Sequence, residues 1–288
     1  MKDVLWAYSF LPQSAAEEVK MKRSVKRVLA AAAVCAAGAV FLVCRFTENQ
    51  KPEEENAPDQ SAEKDEETAV PVSAGDIRQM TAETVLTEEQ IAAVGVDSLF
   101  YQEEISDVVF GRMYGKSFKE DCTVPREELR YVRVLHTGFD GETRIGELVV
   151  NQAIADDVTA VFRELYQAGY PIEKIRLIDD YDADDERSMA DNNSSAFNFR
   201  FISHSTTLSN HARGMAVDMN PKYNPYVKTV DGRENCEPAN AWEYVDRTAE
   251  FAYKIDTEDL CYQVFTKYGF SWGGSWTGAK DYQHFEKV

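Results

Sequence analysis

The chain has 288 residues, 44% of them hydrophobic and 11% aromatic, which is enough for a substantial core. Its 31 Lys and Arg face 50 Asp and Glu, for a net charge of −19. That balance excludes non-specific nucleic-acid binding, which needs a basic footprint on phosphate, and excludes a protein held by charge to anionic lipid.

The charges are unevenly spread. Residues 1–27 are basic, with Lys20, Lys22, Arg23, Lys26 and Arg27 gathered at their end. Residues 28–44 then run without a polar or charged side chain. As a helix this run would reach roughly 26 Å, enough for a thin bilayer with flanking residues snorkelling. Basic residues before it and acidic ones after it predict an inside N-terminus and an outside C-terminus. The expectation is therefore a basic cytoplasmic tail over 1–27 and a single-pass signal anchor over 28–46. A cleaved export signal is the competing reading, although no small-x-small site follows the run. Residues 47–75 read as an acidic linker, since 47–69 hold nine carboxylates, two Lys and no aromatic residue.

Beyond the linker the pattern is mixed α+β. Residues 83–95 read as a short helix. Residues 129–136 alternate with period two, 138–141 turn, and 144–150 read as the returning strand. Ile154, Val158, Val161, Phe162 and Leu165 recur at helical spacing and stop at Gly169 and Pro171. Residues 174–179 and 214–219 are strand candidates, 262–268 the end of a helix, and 283–288 a terminal strand. Cys122, Cys236 and Cys261 lie outside the apolar run, and a Cys236–Cys261 bridge is one pairing open to them.

The chemistry is concentrated near the C-terminus. Of four histidines, His211 stands in Ser209-Asn-His-Ala-Arg-Gly-Met-Ala-Val-Asp218. His284 stands in Asp281-Tyr-Gln-His-Phe-Glu286, which follows Trp272-Gly-Gly-Ser-Trp276. A catalytic zinc commonly takes three imidazole and carboxylate ligands and keeps a fourth position open, and His211, Asp218 and His284 supply such a set. His211 would sit on a loop entering a strand, Gly214 would permit a tight turn, and Asp218 would return along the strand to the same place. Asp281 is near enough to His284 to take a proton from an attacking water without binding metal. His136 and His204 read as structural. Tyr223, Tyr226, Trp272 and Trp276 are candidates either for a peptide cleft or for the core. The acidic tract 179–186 reads as a solvated loop, having no EF-hand spacing for calcium.

These residues together resemble the M15 zinc metallopeptidases, in particular the D-alanyl-D-alanine carboxypeptidase-like branch. The resemblance rests on Ser-x-His-x-x-Gly-x-Ala-x-Asp at 209–218, on 188–200, on 218–226, on Trp272-Gly-Gly-Ser-Trp276 and on the terminal 281–286. It extends more weakly back to about residue 125. It implies an N-terminal ectodomain extension over 76–124 and a peptidase domain over 125–288. The implied fold is a small, mostly antiparallel sheet with flanking helices around a zinc site, as in the carboxypeptidase/hedgehog-like fold.

Carried over, His211, Asp218 and His284 match the ligands of one zinc ion, and Asp281 matches the general base, with Glu286 as the competing carboxylate. Arg200 matches an oxyanion-stabilising arginine, with a salt bridge to the 179–186 tract as its alternative role. Ser209 matches a substrate-contacting serine, with turn capping as its alternative. The implied substrate is a peptidoglycan stem peptide, cut by a D,D-carboxypeptidase or by an L-alanyl-D-glutamate-type endopeptidase. A non-catalytic wall-binding module on the same fold is the third reading. The expected setting is the outer face of a bacterial membrane, held by the single N-terminal helix, as a monomer.

Overall fold

The computed structural model describes residues 73–203 and 205–288. The basic tail, the apolar run, most of the acidic linker and His204 lie outside the described residues. Among the described residues no helix is long and apolar enough to cross a membrane.

Two short helices open the described chain, α1 (Ala74–Gln79) and α2 (Glu88–Val94), each started by a capping box, Ser73 with Asp76 and Thr87 with Gln90. The helix expected from residue 83 begins only at Glu88. Residues 83–86 instead run along a strand: the Glu83 N–H donates to Ile145 O at 2.7 Å and the Leu86 N–H to Thr143 O at 2.9 Å. Thr87 then caps the helix behind that contact.

Next come β1 (Tyr101–Glu104) and α3 (Asp107–Met113), followed by the long hairpin β2 (Leu129–Thr137) and β3 (Thr143–Asn151). The sheet order is β1-β2-β3, all antiparallel, and the hairpin register runs from Leu129↔Asn151 to Thr137↔Thr143. Helix α4 (Ala155–Gln167) lays Val158, Val161, Phe162 and Leu165 on this sheet, with Val132, Val134, Leu148 and Val150 in the same buried cluster. This is the stripe that its 3.6-residue spacing predicts.

The strand expected over 174–179 is cut to β4 (Lys174–Ile175), which pairs in parallel with β5 (Asn193–Ser194). The chain bends into a 3-10 turn at Ile178–Tyr181 because Asp179 is drawn inward, where its Oδ1 accepts the Ser117 N–H at 3.1 Å. Between β4 and β5 lies α5 (Asp185–Ala190), capped by Asp184.

The C-terminal part holds the site. Strand β6 (Ala216–Asp218) is followed by the hairpin β7 (Tyr226–Val230) and β8 (Arg233–Glu237), by α6 (Leu260–Lys267), and by β9 (Ser271–Trp272), β10 (Lys280–Asp281) and β11 (His284–Glu286). They form two small antiparallel sheets, ordered β6-β11-β9 and β10-β7-β8. The observed fold is thus mixed α+β with small, mostly antiparallel sheets. Strand alternation decides which side chains face where. Phe285 points into the core and stacks on Phe265 with ring centroids 4.3 Å apart, while Phe265 meets Phe162 of α4 edge-on at 6.3 Å. His284 and Glu286, on either side of Phe285, are turned to the opposite face. Cys122, Cys236 and Cys261 are all free, so the Cys236–Cys261 bridge is not formed; each of these two thiols is buried in its own surroundings.

Candidate metal centre

His211 lies on a 3-10 turn, Asn210–Arg213, immediately before β6. The Ser209 hydroxyl caps that turn by accepting the His211 N–H at 3.2 Å. Gly214 closes it in the left-handed region at φ 69°. A Cβ there would lie 2.6 Å from Asn151 N, so glycine is required both by conformation and by the approach of β3. The turn leads directly into β6, where Asp218 is opposite His284 of β11. Beside that pair the Met219 N–H donates to Gln283 O at 3.0 Å, which makes Asp218 and His284 a non-hydrogen-bonded pair, the kind with the closest side chains.

Three donors converge there. His211 Nε2 is 3.1 Å from Asp218 Oδ2 and 3.1 Å from His284 Nδ1, and His284 Nδ1 is 3.2 Å from Asp218 Oδ1. One ligand atom from each lies within 4.8 Å of the others, and all three residues are buried. The far side of each imidazole is committed. His211 Nδ1 donates to Ala196 O at 2.6 Å, which leaves Nε2 as the free lone pair. His284 Nε2 donates to Glu286 Oε2 at 2.9 Å, and the same oxygen accepts from Asn210 Nδ2 at 2.6 Å. Glu286 is therefore the outer partner that orients His284, and Ala196 O does the same for His211.

Electrostatics agree with this arrangement. Burial opposes charge on Asp218, yet His211 and His284 hold its carboxyl well below the usual carboxylate range. Burial likewise opposes a charged His284, but Asp218, Glu286 and Asp281 outweigh it and raise the imidazole to about 10.

Asp281 comes to the same place from the other sheet, where β10 pairs it with Tyr226 of β7. Gly273 makes room for it: a Cβ on that residue would lie 2.8 Å from Asp281 Cβ and 3.2 Å from His284 Cβ. Burial pushes the Asp281 carboxyl up to about 7, with Asp218 adding to the rise and His284 and Arg200 opposing it. Its Oδ1 is buried and has no hydrogen-bond partner. Two imidazoles and a carboxylate with their lone pairs turned inward, beside a carboxylate oxygen left unpaired, fit a three-ligand divalent metal with a nearby base.

A cavity of about 670 Å³ opens over these groups and is also lined by Arg200, Ser209, Tyr226, Trp276 and Glu237. The Arg200 guanidinium is paired with Asp185 at the start of α5; the next largest influences holding its charge are Asp218 and, further down, Asp281. The bridge to the acidic tract considered for Arg200 is thus formed, and the same side chain lines the cavity wall. Ser209 caps its turn and lines the cavity. Trp276 packs on the His284 ring with centroids 5.2 Å apart. Tyr223 and Trp272 are not in the lining: Tyr223 joins Phe139, Tyr244 and Tyr253 in an aromatic cluster, and Trp272 is buried in the core. His136 is structural, with Nδ1 2.9 Å from Ile172 O and Nε2 3.3 Å from Glu83 Oε1. The acidic tract is bound up with the protein itself. Asp180 pairs with Arg112 and Arg176, Asp182 with Lys116 and Arg187, Asp184 caps α5, and Glu186 Oε1 accepts the Ala239 N–H at 2.6 Å.

The donor set and cavity define a candidate metal-dependent hydrolytic centre. Residues 203–287 match the family described as D-alanyl-D-alanine carboxypeptidase, so this segment is similar to the M15-family peptidases. His211, Asp218, Asp281 and His284 fall inside the matched segment, and Arg200 lies just before it. No curated protein and no solved structure matches the chain.

Proposed function

We propose that the protein is a zinc-dependent peptidase of peptidoglycan stem peptides, acting as a D-alanyl-D-alanine carboxypeptidase. The observation that carries this reading is the convergence of His211, Asp218 and His284 under a peptide-sized cavity, within a segment that matches the carboxypeptidase family. In this reading His211 Nε2, an Asp218 oxygen and His284 Nδ1 hold the ion. A bound zinc supplies Lewis acidity, which lowers the pKa of a water and polarises the scissile carbonyl.

The chain's own groups do the rest. Asp281 takes a proton from the attacking water and returns it to the leaving amine. Arg200 offers positive charge where the carbonyl oxygen becomes an anion, and preorganised charge of this kind acts most strongly in a site that excludes water. Glu286 and Ala196 O keep both imidazoles aimed. Tyr226 and Trp276 form apolar wall beside the bond to be cut. The apolar run at 28–44 and the acidic linker support a tether that holds this domain outside a bacterial membrane.

Mass spectrometry of a stem pentapeptide incubated with the zinc-loaded protein tests the reading. Loss of a single terminal D-Ala, abolished by chelator and by His211→Ala, is the expected result. Cleavage at L-Ala–D-Glu would instead make the enzyme an endopeptidase. Absence of any product from peptide or intact wall would leave a wall-binding module.

A further inference from the structure

Gln283 stands between Asp281 and His284, is 2% exposed, and lines the same cavity. Its backbone is pinned just past the end of β6, where its carbonyl accepts the Met219 N–H. Its side chain, by contrast, is poorly satisfied. Nε2 donates to Met189 Sδ at 3.2 Å, a thioether and hence a weak acceptor, and Oε1 is buried without a partner. Asp281 Oδ1, two residues away, is also buried without a partner. A buried polar atom with no bond carries its full desolvation cost, so two neighbouring ones need a reason.

We infer that Gln283 is a positioning residue whose side-chain amide donates to the Asp281 carboxylate and holds it toward the metal site. The inference rests on reading Asp281 as the general base. A rotation of the terminal amide moves an N–H from sulfur to a charged oxygen, a far stronger acceptor. If Gln283 only filled space beside Met189, an apolar side chain of similar length would serve equally.

Gln283→Met and Gln283→Leu separate the two roles. Both are expected to bind one zinc per chain, as is expected of the parent protein, and to show kcat on the stem pentapeptide reduced tenfold or more with KM within twofold. A second readout needs no activity. In metal-free full-length protein, the melting-temperature shifts of Asp281→Asn and Gln283→Met are expected not to add in the double variant, because contacting residues couple. Unchanged kcat in both apolar variants, or additive melting shifts, would overturn the inference. If the parent protein releases nothing from the peptide, the functional reading fails by itself, and the melting cycle still decides whether Gln283 holds Asp281.

Discussion

Asp218 and His284 face each other across the β6–β11 pair, with Oδ1 and Nδ1 3.2 Å apart, and each is backed by a buried residue one position along its own strand. On β11 that residue is Phe285, between His284 and Glu286; on β6 it is Val217, before Asp218. The candidate metal site is thus held in register by the core beneath it.

Phe285→Ala should therefore damage both properties. Removing a buried ring stacked on Phe265 is expected to cost about 3–5 kcal/mol of stability. Zinc affinity should fall as well, although no ligand is removed, because β11 loses its anchor. Denaturant unfolding and competitive zinc titration of the same variant check the pair of effects.

Glu286→Gln should leave the fold intact and weaken zinc binding by about 10–100-fold, the usual effect of losing a carboxylate behind a ligand imidazole. Asn210→Ala removes the second donor to the same oxygen and should act in the same direction, more weakly. Zinc titration against a chromophoric chelator measures both.

Gly214 and Gly232 share a left-handed backbone, at φ 69° and 76°, but only Gly214 has backbone atoms in the space a Cβ would take. Gly232→Ala should cost about 1 kcal/mol from conformation alone. Gly214→Ala must also push β3 away from the His211 turn, so it should cost clearly more and lower zinc affinity. Comparing their unfolding midpoints tests this ordering.

Asp259 gives a pH dependence away from the site. It caps α6 and accepts from Tyr170, yet burial pushes its carboxyl up to about 6. An acid whose folded pKa is raised contributes stability that is complete below the unfolded value, near 3.9, and is lost as pH rises through the folded one. Asp259→Asn keeps the capping oxygen and removes the charge. It should match the parent protein near pH 4 and exceed it at pH 8 by up to about 3 kcal/mol. Urea unfolding at the two pH values measures the difference.

Much of this arrangement could be read from the chain, for identifiable reasons. The β2–β3 hairpin and α4 follow from period-two and period-3.6 patterns, and the grouping of His211, Asp218 and His284 follows from the two histidine motifs. Glu286 had a usable signal, since period two places it on the face of His284. Asp231-Gly232 had one as well, because both residues have positive φ (50° and 76°) and link β7 to β8 as a two-residue hairpin turn. Ala196 O had none: a backbone carbonyl fifteen residues before His211 carries no mark of its role. Helices α3 and α5 are too short for periodicity and are set by their caps, Ser106 and Asp184. The acidic tract resembles a solvated loop because its partners, among them Arg112, Lys116 and Arg200, are distant in sequence.

The central claim is that His211, Asp218 and His284 hold the metal while Asp281 moves the proton. Zinc content and stem-peptide turnover of Asp281→Ala, measured beside the parent protein, test it most directly. The account predicts one zinc per chain in both proteins, with turnover lost in the variant by about 100-fold or more. Loss of zinc from Asp281→Ala, or turnover that survives it, would contradict the account.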